Sequence, residues 1–256
     1  MKKIIENLKL IIKRNIYLIH FSHKIISFFG MNFEDEYFIS SYLKKDEIII
    51  DVGAHLGESI IGFRRFNKLI KIYSFEPNPT IFKRLSKKFD KKKNIFLFNE
   101  LVMSENKLNE FYVPVIKNIS MPYMGSFNKK YIIQRFEHFF FFSTKNKLTW
   151  EEYKISAKRL DEYNLKPKIL KIDTEGSELN VLQGSEKTID KHNPLIIVEF
   201  NHNNYKKIYE FLINKGYGLF KFVNKTFVSV KFNELLNYEK FKNQRNLIFK
   251  KNNFSI

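Results

Sequence analysis

The residues best suited to chemistry in this sequence are glycines and carboxylates between positions 46 and 76. The stretch begins D-E-I-I-I-D-V-G-A-H-L-G and, after a helical segment, continues I-K-I-Y-S-F-E-P. Glu47 to Val52 is a short apolar run typical of a buried strand, and it stops at Gly53. Because glycine lets a backbone turn tightly and approach a ligand closely, we predict a ligand site at this turn.

The same stretch predicts a strand, a glycine turn, a helix and a second strand. Gly57 falls where the helix should begin, with Glu58 in its first turn. Ile72 to Phe75 reads as the second strand, and Glu76 follows it directly before the turn-forming P-N-P. An acidic residue at this position accepts hydrogen bonds from ribose hydroxyls in nucleotide-binding folds. Glu76 is therefore predicted to bind a ribose.

The glycine spacing differs from that of dinucleotide-binding proteins. It reads D-x-G-x-x-x-G, whereas G-x-G-x-x-G brings a helix N-terminus onto a pyrophosphate. The pattern suits a ligand that has an adenosine but no phosphates, with a sulfonium and an amino-acid end over the turn. Asp51 would offer its carboxylate to the ammonium group of that ligand. A structural interpretation remains open, in which Gly53 merely ends a strand and Asp51 caps a helix.

Polar residues also follow three later strands, which we predict at Ile95 to Asn99, Ile169 to Ile172 and Pro194 to Phe200. Asn99 lies where an adenine would sit if the sheet binds adenosine at its carboxyl edge. Asp173 and Glu175 follow the fourth strand, while Glu199 and His202 lie at and beyond the end of the fifth. These side chains are expected near the same edge as the Gly53 turn.

Composition narrows the class of protein. A chain of 256 residues is compatible with one large α/β domain, and the absence of cysteine excludes disulfides, thiolate metal sites and cysteine nucleophiles. The formal net charge of +18 favours an anionic partner, such as nucleic acid, an acidic glycan or an anionic membrane surface. It does not choose among these partners.

Two regions depart from the α/β rhythm. Residues 1–45 are predicted to be an N-terminal amphipathic helical segment, with one helix in 1–30 and a second from Glu34 to Lys45. The first helix either packs on the flank of the domain or contacts anionic lipid through its basic residues. Residues 116–153 contain the run Phe136 to Phe142 and read as a lid-like insertion in a domain spanning 46–256. Four consecutive phenylalanines are more often buried in a core or an oligomer contact than used for stacking on a ligand.

Six motifs together resemble the FkbM family of S-adenosylmethionine-dependent methyltransferases. They are D-V-G-A-H-L-G, F-E-P-N-P, R-L-D-E-Y, K-I-D-T-E-G-S-E-L-N-V-L-Q-G, P-L-I-I-V-E-F and Q-R-N-L-I-F. The resemblance implies an α/β, Rossmann-like class I methyltransferase fold: a seven-stranded, mostly parallel sheet with an antiparallel final hairpin and helices on both faces. It also implies S-adenosyl-L-methionine as the cofactor.

Carried over by motif, the resemblance places Asp51, Gly53 and Gly57 at the methionine end of the cofactor and Glu76 on the ribose. His55, Asn99 and Asp173 are also predicted to bind the cofactor. For methyl transfer to an alcohol oxygen, a general base within hydrogen-bond reach of the hydroxyl should contribute about 10²–10⁴-fold. The candidate catalytic residues are Asp173, which we favour, Glu199 and His202. A divalent metal held by these three residues is a further alternative, although no spacing in the sequence demands a metal site.

The expected reaction is O-methylation of a carbohydrate hydroxyl, in a bacterial surface polysaccharide or its nucleotide- or lipid-linked precursor. The expected partner is therefore a small-molecule or glycan acceptor, with anionic phosphates that match the basic charge. Two alternatives stay open: a nucleic-acid methyltransferase, against which the chain has no N-P-P-Y or D-P-P-Y run, and a non-catalytic, membrane-associated binding protein. We expect a cytoplasmic protein, with peripheral membrane contact through residues 1–30.

Overall fold

The computed structural model of the chain describes residues 35–116, 118–140, 148–200, 204–235, 246–252 and 254. These residues divide into two compact units, a smaller one within Asn109–Lys154 and a larger one within Phe33–Leu108 and Ile155–Ile256. Among the helices of this part of the chain, none is long and apolar enough to cross a membrane. The predicted helix in residues 1–30 lies outside the described residues.

The larger unit is built on one eight-stranded sheet. Its strands in chain order are β1 (Ile48–Val52), β2 (Lys71–Phe75), β3 (Ile95–Phe98), β8 (Pro167–Ile172), β9 (Leu195–Glu199), β10 (Tyr217–Val223), β11 (Thr226–Ser229) and β12 (Asn246–Lys251). A second, four-stranded sheet contains β4 (Leu101–Val102), β5 (Lys107–Ile116), β6 (Ile119–Ser120) and β7 (Leu148–Lys158). The spatial order is β11-β10-β12-β9-β8-β1-β2-β3. The five adjacent strands β9, β8, β1, β2 and β3 run parallel. The other three, β12, β10 and β11, are each antiparallel to their neighbours. A mostly parallel α/β sheet is confirmed.

The prediction of seven strands is wrong by one, because β11 adds an edge strand. β10 and β11 are joined by Asn224 and Lys225, which both have positive φ angles, of 49° and 61°. A two-residue turn with positive φ at both positions matches the twist of the strands that it connects, so it extends the hairpin by one more strand. The predicted antiparallel final hairpin is therefore present with this additional strand.

Helices cover the sheet on both faces. They are α1 (Glu58–Phe66), α2 (Pro79–Phe89), α4 (Glu178–Gly184), α5 (Glu186–His192), α6 (Tyr205–Asn214) and α7 (Phe232–Leu235), with α3 (Lys129–Phe140) in the smaller unit. Alternate strand residues enter two separate apolar clusters: Ile50 and Val52 of β1 pack in one, and Ile49 packs in the other. This period of two is what a strand buried on both faces requires.

The second predicted N-terminal helix is a 3₁₀ helix over Asp35–Tyr42, and not the longer helix expected from Glu34 to Lys45. The Ser40 hydroxyl donates to the carbonyl oxygens of Tyr37 and Phe63, each at 2.8 Å. A side-chain hydroxyl that bonds to a backbone carbonyl three residues back competes with regular helical hydrogen bonding. The backbone N–H of Leu43 accordingly donates to the backbone carbonyl oxygen of Ser40, three residues back.

The inserted region has regular structure and an apolar cluster of its own. The smaller unit contains most of β5 (Lys107–Ile116), all of β6 (Ile119–Ser120) and α3, and the first residues of β7 (Leu148–Lys158). Met121, Met124, Ile132 and Phe136 form its buried cluster. Phe136 therefore lies in a core, whereas Phe141 and Phe142 lie outside the described residues. A role as a lid remains a prediction.

The R-L-D-E-Y motif provides hydrogen bonds to the first turn of α5. The Asp161 carboxylate accepts hydrogen bonds from the backbone N–H groups of Lys187 and Thr188, at 3.3 and 2.9 Å. Arg159 in turn donates to Asp161 at 2.9 Å and to the Ser104 carbonyl at 2.7 Å. A carboxylate near the first turn of a helix satisfies N–H groups that have no partner within the helix.

The turn after β1 is pressed against the end of β8. Gly53 has a φ of +91°, and a Cβ atom at this position would lie 1.7 Å from the Asp173 carbonyl oxygen. Two backbone hydrogen bonds connect the strand ends. The Gly53 N–H donates to the carbonyl oxygen of Phe75 in β2 at 2.9 Å, and the Asp173 N–H donates to the carbonyl oxygen of Val52 in β1 at 2.9 Å. The carboxyl ends of β1, β2 and β8 are thereby held together.

Gly53→Ala should destabilise the protein more than Gly216→Ala. Both glycines have positive φ angles, but nothing lies within 4 Å of a Cβ at Gly216. Gly216→Ala therefore carries only the left-handed backbone strain, about 1–2 kcal/mol, and Gly53→Ala adds an overpacking cost of about 1–3 kcal/mol. Urea unfolding of the two variants measures the difference. Equal losses in the free energy of unfolding would contradict the close approach.

Candidate functional site

Polar side chains replace apolar ones on one face of the sheet near its carboxyl edge. On this face, Ile49, Ile72, Ile169 and Ile197 belong to one apolar cluster. Two residues further along the same four strands come Asp51, Ser74, Lys171 and Glu199. Because strand side chains alternate with a period of two, these polar residues continue the same rows. The sheet thus carries a charged edge on the face that α1 covers through Ile60 and Phe63.

Asp51 lies at the centre of this edge and is fully buried. Its Oδ2 atom accepts hydrogen bonds from the hydroxyls of Ser59 at 2.6 Å and Ser74 at 3.2 Å. Its Oδ1 atom has no hydrogen-bond partner within the described part of the chain. Burial raises the pKa of Asp51, while the charge of Lys171 and the Ser59 hydroxyl oppose that rise.

Glu76 connects the turns that follow β1 and β2. One carboxylate oxygen accepts the backbone N–H of His55 at 2.9 Å, and the other accepts the backbone N–H of Asn78 at 2.8 Å. The Asn99 side chain donates to the carbonyl oxygen of Glu76 at 2.8 Å. Burial raises the pKa of Glu76, opposed first by the nearby His55 and then by the two N–H donors. Three of the predicted cofactor-binding residues, Glu76, His55 and Asn99, therefore form one connected group.

His55 adopts a left-handed backbone conformation, with a φ of 47°. Its Nδ1 atom lies 3.4 Å from the Glu58 carboxylate, and the two side chains are 37% and 18% exposed. Burial lowers the pKa of His55, but the hydrogen bond and charge of Glu58, with further help from Glu76 and Asp173, raise it above the ordinary value overall. The imidazole therefore gains positive character beside the carboxylates.

Asp173 pairs with a buried lysine. The Lys171 ammonium lies 2.9 Å from Asp173 Oδ2, and the lysine side chain is only 3% exposed. Burial raises the pKa of Asp173, but the charge and hydrogen bond of Lys171, with smaller effects from His55 and Glu199, hold it below the ordinary value. Asp173 is therefore ionised at neutral pH.

The D-T-E-G-S-E segment forms a tight turn organised by Glu178. One oxygen of this buried carboxylate accepts from the Gly176 N–H at 2.8 Å and the Thr174 hydroxyl at 3.2 Å, and the other accepts from the Asn204 amide at 2.6 Å. Glu175 has a positive φ of 54° within this turn. The segment therefore fixes the backbone just after Asp173.

The structure brings most of the predicted site residues to one edge: Asp51, Gly53, His55, Glu76, Asn99, Asp173 and Glu199. Gly57 is close to them in sequence, but a Cβ there would lie 2.3 Å from the Phe89 ring, so packing against α2 already requires a glycine. His202 lies outside the described residues. Contact of each residue with a cofactor or an acceptor stays a prediction.

Sequence reasoning missed three residues at this edge: Lys171, Glu178 and Asn246. Asn246 is buried and pairs in register with Glu199 across β12 and β9. A signal existed for Lys171, because a lysine within the apolar run I-L-K-I is unusual in a strand that is covered on both faces. Glu178 directly precedes the L-N-V-L run of the motif. In the sequence it looks like an ordinary acidic residue in the first turn of a helix.

The residues at this edge fit a nucleoside that carries a positively charged amino-acid end. Asp51 Oδ1 is a buried acceptor atom with no hydrogen-bond partner among the described residues, as expected of a group that awaits a donor. Each Glu76 oxygen has one backbone donor, and a carboxylate oxygen has room to accept a second. No group of three or more acidic or histidine side chains in the described ranges could hold a metal ion.

Comparison with known proteins identifies the fold and the family. The family model for the methyltransferase FkbM domain matches residues 51–219, more than half of the chain. A crystal structure of the methyltransferase FkbM from Methylobacillus flagellatus KT superposes with a TM-score of 0.50 at 15% identity, covering 84% of this chain and 50% of that one. The chain thus spans about half the length of that protein.

Two further solved structures are more distant. Fibrillarin from Aeropyrum pernix, solved with natively bound S-adenosyl-L-methionine, has a TM-score of 0.42 at 11% identity and covers 84% of this chain and 73% of its own. The precorrin-6y C5,15-methyltransferase of Geobacter metallireducens has a TM-score of 0.42 at 13% identity, with 84% and 82% covered. No curated protein matches the sequence significantly. On the strength of the family match, this chain belongs to the FkbM family of S-adenosylmethionine-dependent methyltransferases.

Proposed function

We propose that the enzyme methylates a hydroxyl oxygen of a carbohydrate, in a bacterial surface polysaccharide or its nucleotide- or lipid-linked precursor. One observation carries the proposal. The Asp173 carboxylate pairs with Lys171 at 2.9 Å, and the backbone carbonyl of Asp173 lies against the Gly53 turn at the carboxyl edge of the sheet. An ionised carboxylate at this place is suited to accept the proton of an alcohol.

The cofactor supplies an activated methyl group on a sulfonium, and the chain supplies binding and proton transfer. Asp51, the Gly53 turn and Glu76 would hold the amino-acid end and the ribose. Asp173 would accept the hydroxyl proton as the oxygen attacks in line with the departing sulfur. Glu199, adjacent in the sheet, and His202 are the other candidates for this base.

Charge supports an anionic acceptor. The chain carries 45 Lys and Arg residues against 27 Asp and Glu residues, and a field of this sign raises the local concentration of anions. Sugars linked to nucleoside diphosphates or to lipid phosphates carry the required negative charge. For a lipid-linked acceptor, the basic residues of segment 1–30 would add attraction to an anionic membrane surface, about 1 kcal/mol for each residue near the lipid.

Glu76→Ala should weaken binding of S-adenosylmethionine by about 1.5–3 kcal/mol, because a charge-assisted hydrogen bond to the ribose is lost. Calorimetric titration with the cofactor measures this change. Glu47→Ala is the matched control, since Glu47 precedes β1 at the opposite end of the sheet and pairs with Lys168 at 3.6 Å. Unfolding experiments on both variants separate a loss of binding from a loss of the turn that Glu76 holds. Unchanged affinity in Glu76→Ala would remove Glu76 from the cofactor site.

Asp173→Asn should leave cofactor affinity nearly intact and slow methyl transfer by about 10²–10⁴-fold, the usual contribution of a general base. Mass spectrometry of surface glycans from cells that produce the wild-type or the variant enzyme measures the methylated product. Asp190→Asn serves as the control, because Asp190 is 54% exposed and pairs with Lys215 on the surface. Full glycan methylation by Asp173→Asn would exclude Asp173 as the base.

A nucleic-acid acceptor is the second candidate, since the net charge of +18 favours it equally. The two acceptors differ in salt dependence. Binding that neutralises many phosphates weakens steeply with added salt, whereas a sugar with one or two phosphates loses little. Steep salt-dependent binding of RNA or DNA, together with unchanged glycan methylation in a deletion strain, would replace the carbohydrate proposal.

A further inference from the structure

Lys171 is a charged residue in the interior of the sheet. It lies in β8, between Leu170 and Ile172, which both belong to the apolar core. Its side chain is 3% exposed, and its ammonium lies 2.9 Å from Asp173 Oδ2. Lys168, three residues earlier in the same strand, is 44% exposed and pairs with Glu47 at 3.6 Å. The strand therefore carries one surface lysine and one interior lysine.

An interior ammonium is costly unless carboxylates accompany it. The desolvation penalty for a buried ion is several kcal/mol, and an apolar residue at such a position is often as stable or more stable. Core packing alone therefore does not explain a lysine at this position. Buried charged groups that pair with other charged groups cluster at functional sites. A function for Lys171 is therefore to be sought in its effect on neighbouring side chains.

The neighbours of Lys171 are mainly acidic. Asp51 is its register partner on β1, and Asp173 is two residues further along β8 on the same face. Glu199 is the last residue of β9, with which Lys171 pairs through Ile197, so its side chain shares that face. His55 and Glu76 lie across the Gly53 turn and interact with each other and with the carboxylates. One carboxylate thus contacts the ammonium directly, and two more lie on the same face of the neighbouring strands.

Neighbouring carboxyl groups do not all ionise without a compensating cation, because like charges at short distance raise one another's pKa. Asp51 follows this rule, since burial and the nearby Asp173 raise its pKa. Asp173 departs from it, and two structural features distinguish it from the fully buried Asp51: its direct contact with Lys171 and a side chain that is 34% exposed. The ammonium therefore favours the ionised form of the carboxyl group that it contacts.

We propose that Lys171 is a positioning residue for methyl transfer: its buried ammonium keeps Asp173 ionised and holds one oxygen of its carboxylate, so that the carboxylate can accept a proton from the acceptor hydroxyl. This proposal rests on the proposed role of Asp173 as the base. It extends that role by assigning the charge state of the base to a residue that does not touch the reacting atoms.

Carboxyl-carbon NMR of protein labelled at aspartate tests the proposal, with the Asp173 signal assigned by its loss in Asp173→Asn. In the wild type, Asp173 should titrate below the ordinary aspartate value of about 3.9. In Lys171→Met, which keeps the length of the buried chain and removes the charge, the midpoint should rise by about 1–3 pH units. Lys168→Met is the matched control and should leave the Asp173 titration unchanged, because its ion pair lies at the surface.

An unchanged midpoint in Lys171→Met, or a wild-type Asp173 that is protonated at neutral pH, would overturn the proposal. Lys171→Gln, which keeps a polar end without the charge, provides the same comparison if the methionine variant does not fold. A purely structural lysine would lower the free energy of unfolding in these variants without moving the Asp173 titration.

The titration uses neither cofactor nor acceptor, so its outcome is separable from that of the proposed function. A raised midpoint together with unmethylated glycans in both wild-type and deletion cells would support Lys171 as a charge-setting residue and remove the carbohydrate acceptor. An unchanged Asp173 midpoint in Lys171→Met, together with glycan methylation that is present in the wild type and lost in deletion cells, would overturn the role of Lys171 and support the carbohydrate acceptor.

Discussion

The approach of the β1 turn to the end of β8 is the constraint on which the site depends. The Asp173 carbonyl occupies the place where any Cβ at residue 53 would be, and the amide N–H groups of both ends bond across to neighbouring strands. This contact fixes the backbone of Asp173 against the glycine turn. The Lys171 ammonium, 2.9 Å from Oδ2, then holds the carboxylate of the candidate base.

The carboxyl groups at this edge of the sheet differ in their hydrogen-bond partners and in their burial. Asp51 accepts from two serine hydroxyls on one oxygen, Glu76 accepts from two backbone N–H groups, and Asp173 accepts from an ammonium. A charged partner stabilises an ionised carboxylate more strongly than a neutral one, and the Asp173 side chain is 34% exposed whereas Asp51 is fully buried. The three carboxyl groups at this edge therefore differ in their tendency to hold a proton, and such differences allow a fold to separate ligand-binding groups from proton acceptors.

The sequence alone predicted the strand ends of the larger unit closely, because Gly53, Glu76 and Asp173 each interrupt an apolar run where a buried strand must stop. The count of seven strands came from the family resemblance, and the hairpin turn at Asn224 and Lys225 adds β11 as an eighth. The α-helix expected before β1 is a 3₁₀ helix in which the Ser40 hydroxyl bonds to the Phe63 carbonyl, a tertiary contact that periodicity does not reveal. Lys171 was not assigned a role, because its acidic neighbours come from other strands and are known only once those strands are placed.

The motifs that carry the family resemblance contain residues with two structural roles, and these roles determine what the motifs can predict. Glu178 and Asp161 hold backbone turns through hydrogen bonds, whereas Asp51, Glu76 and Asp173 present carboxylates at the edge of the sheet. Both groups concern the nucleoside and the strand ends that would surround it, so the motifs point to the methyl donor. None of the six motifs lies within Asn109–Lys154, the region that has its own apolar cluster. The family patterns therefore constrain the donor side of the reaction and carry no information on the acceptor, which is why the donor could be predicted from the sequence while the acceptor is a proposal.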